Sequence, residues 1–222
     1  MPAFDGIVTV AIPGWASDGS VFDGLEGILG RVHAPKFSPD GGADELEGII
    51  SELGAGKVRL LGWSLGALAV SELVLSRPGL VAEAVLVSAR PSYPSGDIDE
   101  ARRGIRRNRR GFLGSFFSSC FCPGEGDAWR SFSKNILPGY LDGGWEIGAL
   151  ERGLDRLASG RLDPSITRAP NVRFVHGRGD LIAPFPEMEG FLRGIPAGRF
   201  LALEGRGHMP FLDPAFAGFL VQ

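Results

Sequence analysis

The sequence predicts an α/β fold, with a mostly parallel sheet, helices on both of its faces and a helical insertion. Before residue 90 and after residue 166, short apolar runs alternate with segments whose apolar residues recur at helical spacing. Strands that alternate with helices are joined by right-handed crossovers, which give a parallel sheet. The chain has 222 residues, 44% of them hydrophobic, which is enough for one such unit.

Six runs are predicted to form the strands, and five further segments are predicted to form helices. Each strand candidate is short, apolar and bounded by turn-forming residues. Ser20 is predicted to cap the first helix. We expect the strands at residues 6–12, 31–35, 57–63, 82–89, 171–177 and 198–205, and the helices at residues 21–29, 43–53, 65–76, 186–195 and 213–222.

Residues 91–165 interrupt this alternation. They are rich in Arg, Gly, Ser and Phe and contain helical patches but no strand candidate. We therefore predict a core of residues 1–90 and 166–222, with residues 91–165 as a helical lid inserted over one end of the sheet. Ligands of open α/β sheets bind beyond the carboxyl ends of the strands, so functional residues are expected in the loops that follow strands.

Composition narrows the possible functions. The net charge is −3, and one basic stretch, ARRGIRRNRR (101–110), leaves an acidic remainder without a nucleic-acid-binding motif, so nucleic-acid binding is not expected. No apolar run approaches the roughly 20 residues of a membrane span, and the N-terminus lacks the basic region of a secretory signal. We expect a cytoplasmic location and no membrane association. Cys120 and Cys122 are too close for a disulfide and too few for zinc, and no metal or organic cofactor is indicated.

Ser64 is the candidate nucleophile. It lies in the sequence GWSLG, where a predicted strand runs directly into a predicted helix. A serine raised on so tight a turn adopts a strained backbone, and Gly62 and Gly66 remove β-carbons that would clash with adjacent elements. The same turn points the first amides of the helix, beginning with Leu65, at the space above the serine, where they can donate to an oxyanion.

A nucleophilic serine needs a base, and the base needs an acid to orient it. Of the three histidines, His208 is favoured because it lies in a Gly-rich loop after the last strand. His33 lies in a short strand before the serine, and His176 is expected to be a hydrogen-bonded residue at a strand's end. Asp180, just past the strand at 171–177, is the favoured acid. The alternative acids are Asp97 and, more distantly, Asp163.

The motifs in which these residues lie resemble those of the α/β-hydrolases and, within that superfamily, the pimeloyl-acyl-carrier-protein methyl ester esterases of biotin synthesis. The resemblance rests on PGW (13–15), GWSLGAL (62–68), GRGDLIAP (177–184) and GRGHMPFLDP (205–214), which match in order and spacing. It covers most of the chain and is weakest in the insertion. The N-terminus is expected to be shortened, since it lacks room for two leading strands of many relatives.

The resemblance implies an α/β-hydrolase fold and a triad of Ser64, Asp180 and His208. It also implies that the backbone amide of Trp15 joins that of Leu65 in an oxyanion hole, and that Trp63, beside the serine, takes part in substrate binding. The histidine that usually precedes the glycine of the first loop is Pro13 here.

The predicted insertion carries two further candidate sites. Helical spacing would place five arginines in one stripe on a helix: Arg102, Arg103, Arg106, Arg107 and Arg110. One interpretation is a solvated face whose charge is balanced by Asp97, Asp99 and Glu100. The other is a docking site for an acidic carrier protein or a phosphate. The aromatic residues after it are expected to pack on the sheet, with an inner face that lines an apolar acyl pocket. The residues assigned to that pocket are Phe112, Phe116 and Phe117.

These observations favour a serine carboxylesterase that works through an acyl-enzyme. The expected substrate is an acyl ester, and the resemblance implies the methyl ester of a pimeloyl chain on an acyl carrier protein. One alternative keeps the triad and changes the substrate, as in a general short-chain esterase, a thioesterase or a C–C bond hydrolase. The other is a non-catalytic binding protein of the same fold.

Overall fold

A parallel sheet forms the centre of the molecule in the computed structural model, which describes residues 7–220. Within these residues its six strands follow the order β2-β1-β3-β4-β5-β6, and every neighbouring pair is parallel. The strands are β1 (Thr9–Ile12), β2 (Val32–His33), β3 (Val58–Trp63), β4 (Val81–Val87), β5 (Val172–Gly177) and β6 (Phe200–Leu203).

The helices are packed on this sheet and beyond its carboxyl edge. Helix α3 contacts α2, β3 and β4, while α1 contacts α9. The helices are α1 (Glu26–Leu29), α2 (Ala43–Glu52), α3 (Leu65–Ser76), α4 (Ser95–Ser119), α5 (Gly126–Asn135), α6 (Leu137–Gly139), α7 (Ile147–Ser159), α8 (Phe185–Phe191) and α9 (Pro214–Leu220).

The predicted fold class is confirmed. Successive residues of β1 and most residues of β3, β4 and β5 are buried, as expected for a parallel sheet covered on both faces. Each of the six strand candidates overlaps an observed strand, and α3 spans the predicted residues 65–76. Gly6 of the first strand candidate and residues 221–222 of the last helix candidate lie outside the described residues.

The first helix candidate is divided. A 3₁₀ turn at Gly19–Phe22 and the short α1 replace the helix predicted over residues 21–29. The predicted cap at Ser20 is wrong because Ser20 lies within the turn. Asp18 caps it instead, and its carboxylate accepts a 2.9 Å hydrogen bond from the backbone N–H of Ser20.

Helices α4 to α7 occupy the stretch between β4 and β5. Helix α4 is bent at Asn108, whose backbone has the non-helical angles φ −158° and ψ 84°. Two interactions hold the bend: the Asn108 side chain accepts a 3.0 Å hydrogen bond from the Gly111 N–H, and α4 packs along α7. The arginines of the basic stretch therefore lie on two helical pieces rather than on one straight helix.

Candidate active site

Ser64 lies at a sharp turn between β3 and α3. Its backbone has φ 53° and ψ −114°, a conformation that costs free energy in a non-glycine residue. The turn is possible because the residues two positions before and after the serine are glycines. A β-carbon on Gly66 would lie 2.3 Å from the carbonyl oxygen of Ile12, and one on Gly62 would lie 2.8 Å from the Cα atom of Ala67. The two glycines therefore meet the steric requirement expected from the sequence.

Three side chains from three different loops form a continuous hydrogen-bonded chain. The Ser64 hydroxyl donates to His208 Nε2 over 2.9 Å, and His208 Nδ1–H donates to Asp180 Oδ2 over 2.7 Å. The loops follow β3, β5 and β6, at the carboxyl edge of the sheet. This arrangement fixes the imidazole with its free nitrogen toward the serine, which allows it to accept the hydroxyl proton.

The surroundings of Asp180 favour the ionised form of its carboxyl group. Its second oxygen, Oδ1, accepts hydrogen bonds from the backbone N–H groups of Ile182 (2.9 Å) and Ala183 (2.8 Å). Burial by itself would raise the pKa of this carboxyl. The nearby His208 ring and the Ala183 N–H outweigh burial, so the pKa lies below its ordinary value. A fixed carboxylate can then stabilise positive charge on His208.

His176 lies next to Asp180 at the end of β5, and its ring forms a hydrogen bond, as expected from the sequence. Its Nε2–H donates to the carbonyl oxygen of Ala183 over 2.7 Å and lies 3.4 Å from Asp180 Oδ2. Within residues 7–220, its Nδ1 atom is buried without a hydrogen-bond partner. Burial lowers the pKa of this imidazole, against the opposite pull of the Asp180 carboxylate. His176 is therefore a neutral support for the acid.

The alternative acids and the third histidine lie in other interactions. Asp97 pairs with Arg90 over 2.7 Å, and Asp163 caps a 3₁₀ turn by accepting from the Ser165 N–H over 2.8 Å. His33 belongs to β2, at the edge of the sheet. None of these three residues has a hydrogen bond to Ser64 or His208 among the described contacts.

An apolar cavity of about 420 Å³ opens beside the Ser64 hydroxyl. Phe112 and Phe116, both predicted to line a pocket, contribute to its wall, together with Leu154 and Leu157 of α7. Three charged residues, Arg90, Asp97 and Glu100, also border the cavity, and Arg90 is paired with Asp97 and with Glu187. The apolar part of the wall is suited to an acyl chain.

Tyr93 is a residue of this cavity that the sequence analysis missed. It is buried, and its hydroxyl lies 3.4 Å from the Ser64 hydroxyl. Burial raises the pKa of Tyr93 to about 12, so the phenol stays protonated at neutral pH. Its position just after β4 was the available signal, because that loop also ends at the carboxyl edge of the sheet.

Two aromatic residues predicted to bind substrate lie elsewhere. Trp63 does not line the cavity, because its indole packs behind His208 at a ring distance of 5.6 Å and is almost completely buried. Phe117 is fully buried among other rings of the helical segment, including Phe132 and Tyr140. Both side chains point into packed layers rather than toward the serine, and their roles in substrate binding stay predictions.

The two residues of the predicted oxyanion hole lie next to each other. Leu65 is the first residue of α3, and Trp15 lies in the loop after β1. Both line a small cavity of about 20 Å³, room for about one water molecule. The Trp15 indole N–H donates to the carbonyl oxygen of Leu150 over 2.9 Å, which anchors this loop to α7.

The arginine stripe is divided into two groups. Arg102 pairs with Asp155 over 2.9 Å and Arg106 with Glu151 over 2.5 Å, while Arg110 pairs with Asp142. These acids are not the ones expected to balance the stripe. Within residues 7–220, Arg103 and Arg107 form no ion pair, and both border an exposed groove that also contains Glu100, Arg106 and Phe112.

Residues 7–220 contain neither a membrane-spanning helix nor a cluster of metal ligands. Among these residues, no helix has the length and apolar character needed to traverse a bilayer. In the same part of the chain, no group of three or more His, Cys, Asp or Glu side chains is arranged to hold a metal ion.

Comparison with known proteins agrees with this fold. The sequence model of the alpha/beta hydrolase family matches residues 3–217. Two relatives, from Nitrosomonas europaea (26% identical) and Aeromonas hydrophila (28% identical), each align with 92% of this chain and 89% of their own length. Both are named pimeloyl-[acyl-carrier protein] methyl ester esterase. An esterase structure from Exiguobacterium antarcticum superposes with a TM-score of 0.79 at 20% identity, covering 99% of this chain and 92% of the esterase.

Proposed function

Because the chain belongs to the alpha/beta hydrolase family, we propose that it is a serine carboxylesterase that works through an acyl-enzyme. The observation that carries the proposal is the hydrogen-bonded chain from Ser64 through His208 to Asp180, beside an apolar cavity. Seryl oxygen, imidazole and carboxylate in this order are the parts that acyl transfer requires.

In the proposed first step, Ser64 Oγ attacks the ester carbonyl carbon while His208 Nε2 takes the hydroxyl proton. The carbonyl oxygen becomes an oxyanion, which the backbone N–H groups of Trp15 and Leu65 would stabilise by about 3–4 kcal/mol each. The intermediate then expels the alcohol, which takes the proton from His208. Asp180 keeps the imidazole oriented and stabilises its positive charge throughout.

In the second step a water molecule attacks the acyl-enzyme carbonyl. His208 takes a proton from the water and returns it to Ser64 Oγ as the acid product leaves. Residues 91–165 act as a lid in this proposal, because Phe112, Phe116 and Leu154 enclose the acyl chain on the side away from the sheet.

The test is hydrolysis of p-nitrophenyl butyrate by the Ser64→Ala variant. We expect the rate to fall by about a thousandfold or more, since removing a triad nucleophile leaves only binding and the oxyanion hole. Ser71→Ala is a matched control, because Ser71 is also buried and its hydroxyl donates to the carbonyl oxygen of Leu68 rather than to a residue of the candidate site. Unchanged hydrolysis by Ser64→Ala would show that another residue is the nucleophile.

We further propose that the substrate is a pimeloyl methyl ester linked to an acyl carrier protein, met in the cytoplasm. Three observations support this substrate: the names of the two relatives, the apolar wall of the cavity, and Arg103 and Arg107, which have no ion pair within the described part of the chain. The alternative is a general short-chain esterase or a thioesterase. The test is growth without biotin of a strain that lacks its own pimeloyl ester esterase. Failure of an expressed, active protein to restore growth would favour the alternative.

A further inference from the structure

The loop that carries His208 is bound to the helical segment as well as to the sheet. The backbone N–H of His208 donates to the carbonyl oxygen of Cys120 over 2.7 Å. The N–H of the preceding Gly207 donates over 2.8 Å to Glu125 Oε2. Cys120 and Glu125 are the first and last residues of the short connection between α4 and α5. Residues of the predicted insertion therefore hold two successive backbone N–H groups of the loop that carries His208.

Glu125 is a buried carboxylate whose hydrogen bonds, among residues 7–220, all come from these two segments. It is only 2% exposed. Besides Gly207, its Oε2 accepts from the N–H of Cys122 over 2.8 Å and from the Cys122 thiol over 3.3 Å. Burial and the adjacent Glu125 carboxylate raise the pKa of the Cys122 thiol to about 11, so the thiol stays protonated and can donate a hydrogen bond. The nearest cationic atom, on Arg206, is 3.7 Å away from the other oxygen.

The loop that carries His208 and the connection between α4 and α5 are closely packed against each other. A β-carbon on Gly207 would lie 2.4 Å from the carbonyl oxygen of Cys120, and one on Gly179 would lie 2.9 Å from Cys122 Sγ. Gly179 directly precedes Asp180, and its N–H donates to the carbonyl oxygen of Arg206 over 2.9 Å. The turn at residues 120–125 therefore contacts both the loop that carries the general base His208 and the loop that carries the acid Asp180.

We propose that Glu125 is a positioning residue that sets the place of the His208 imidazole by holding its loop against the helical segment. This inference rests on the proposed role of His208 as the general base. Glu125 does not line the cavity, so its effect reaches the reaction only through the loop. A displacement of the imidazole by about 1 Å is enough to reduce catalysis by up to about a hundredfold.

The test compares three variants. Glu125→Met keeps the length of the side chain and removes its acceptors, and we expect kcat to fall roughly tenfold to a hundredfold with KM nearly unchanged. Glu125→Gln keeps one acceptor oxygen for both N–H groups and should retain kcat within about threefold. Glu204→Met is the control, because Glu204 is exposed and pairs only with Arg178.

A spectroscopic readout separates positioning from general stability. The proton between His208 Nδ1 and Asp180 should give a low-field NMR signal in the wild type and in Glu125→Gln, and a weakened or shifted one in Glu125→Met. Wild-type kcat in a folded Glu125→Met variant, or a lower kcat with an unchanged signal, would overturn the proposal. If the wild type hydrolyses no ester, the proposed function fails, whereas the signal still reports whether Glu125 positions the ring.

If Glu125→Met does not fold, amide hydrogen exchange of the wild-type protein tests the proposal instead. In the wild type, the amides of Gly207, His208 and Cys122 should then exchange together, as one cooperative unit. Exchange of the Gly207 and His208 amides that is many times faster than that of Cys122 would show that the loop opens independently of the turn, and would overturn the inference.

Discussion

The indole Nε1–H of Trp63 donates a 2.7 Å hydrogen bond to the carbonyl oxygen of His208. Trp63 directly precedes Ser64, so the residue next to the candidate nucleophile holds the backbone of the candidate base. The same indole packs on the His208 ring and, at a ring distance of 5.5 Å, on Phe211. Trp63 thus joins the strand that ends at the serine to the loop after β6.

Replacing Trp63 by Phe tests this link. The ring contacts would remain, but the carbonyl oxygen of His208 would be left without its donor, so we expect a loss of about 1–3 kcal/mol in the free energy of unfolding. We also expect kcat to fall severalfold with little change in KM, because Trp63 does not line the cavity. Urea unfolding and steady-state kinetics measure both effects.

Trp145→Phe is the matched control for that variant. The indole nitrogen of Trp145 is buried without a hydrogen-bond partner among residues 7–220, so the same substitution removes no bond there. Equal losses of stability and kcat in the two variants would show that ring size, rather than the bond to His208, accounts for the effect.

The sequence predicted those parts of the site whose signals are local. The Gly-x-Ser-x-Gly turn at Ser64 and the positions of Asp180 and His208 after strands depend on short patterns and on the order of strands, and their side chains do meet. Glu125 gave no such signal, since its partner Gly207 is 82 residues away. The bend at Asn108 was hidden because the arginines on either side keep a helical spacing.

The aromatic predictions show a second limit. Phe116 and Phe117 are adjacent in α4, and sequence alone assigned both to the pocket. In a helix neighbouring residues point in different directions, so only the packing of the helix decides which one faces the cavity. The burial of Phe117 among the rings of α5 and the 140–144 turn could be known only once those elements were placed.

Alanine substitutions at these two positions should therefore give different results. Phe116→Ala should enlarge the cavity and shift the preference among p-nitrophenyl esters toward longer acyl chains, with a modest effect on stability. Phe117→Ala should reduce the free energy of unfolding by about 3–5 kcal/mol with little change in chain-length preference. A shift in preference caused by Phe117→Ala rather than by Phe116→Ala would contradict this assignment of the two rings.

The buried His176 predicts a dependence of stability on pH. Its pKa in the folded protein lies below the ordinary 6.5, so as pH falls below 6.5 the unfolded chain takes up a proton that the folded protein does not. The contribution of neutral His176 to stability is therefore complete above pH 6.5 and is lost progressively as pH falls toward the lowered pKa. His176→Gln, which keeps a donor for the Ala183 carbonyl, should remove this dependence.

Urea unfolding at about pH 7.5 and about pH 5.5 measures the difference, since this interval includes the ordinary histidine pKa. The wild type should lose more stability between the two values than His176→Gln does. His33 and His208 are present in both proteins, so their contributions cancel in the comparison. Equal losses in the two proteins would mean that His176 is protonated in the folded state. The lowered pKa of Asp180 acts at more acidic pH, below its ordinary 3.8.

The division of the arginine stripe leads to a prediction about partner binding. Arg103 and Arg107 form no ion pair within residues 7–220, so their charges face the groove beside Phe112. If an acidic carrier binds there, changing both to Glu should reduce kcat/KM for a carrier-linked ester by about tenfold or more and leave p-nitrophenyl butyrate hydrolysis unchanged. The loss should diminish at high salt, because exposed charges are screened.

Arg102 and Arg106 provide the control for that experiment. They carry the same charge on the same helix, but each is paired with an acid of α7, so reversing them should place like charges together and destabilise the contact between α4 and α7. This double variant should lose stability and slow both substrates alike, since α7 also lines the cavity through Leu154 and Leu157. Loss of the carrier-linked reaction alone in Arg102→Glu/Arg106→Glu, with Arg103→Glu/Arg107→Glu unaffected, would place the carrier on the paired arginines and contradict its assignment to Arg103 and Arg107.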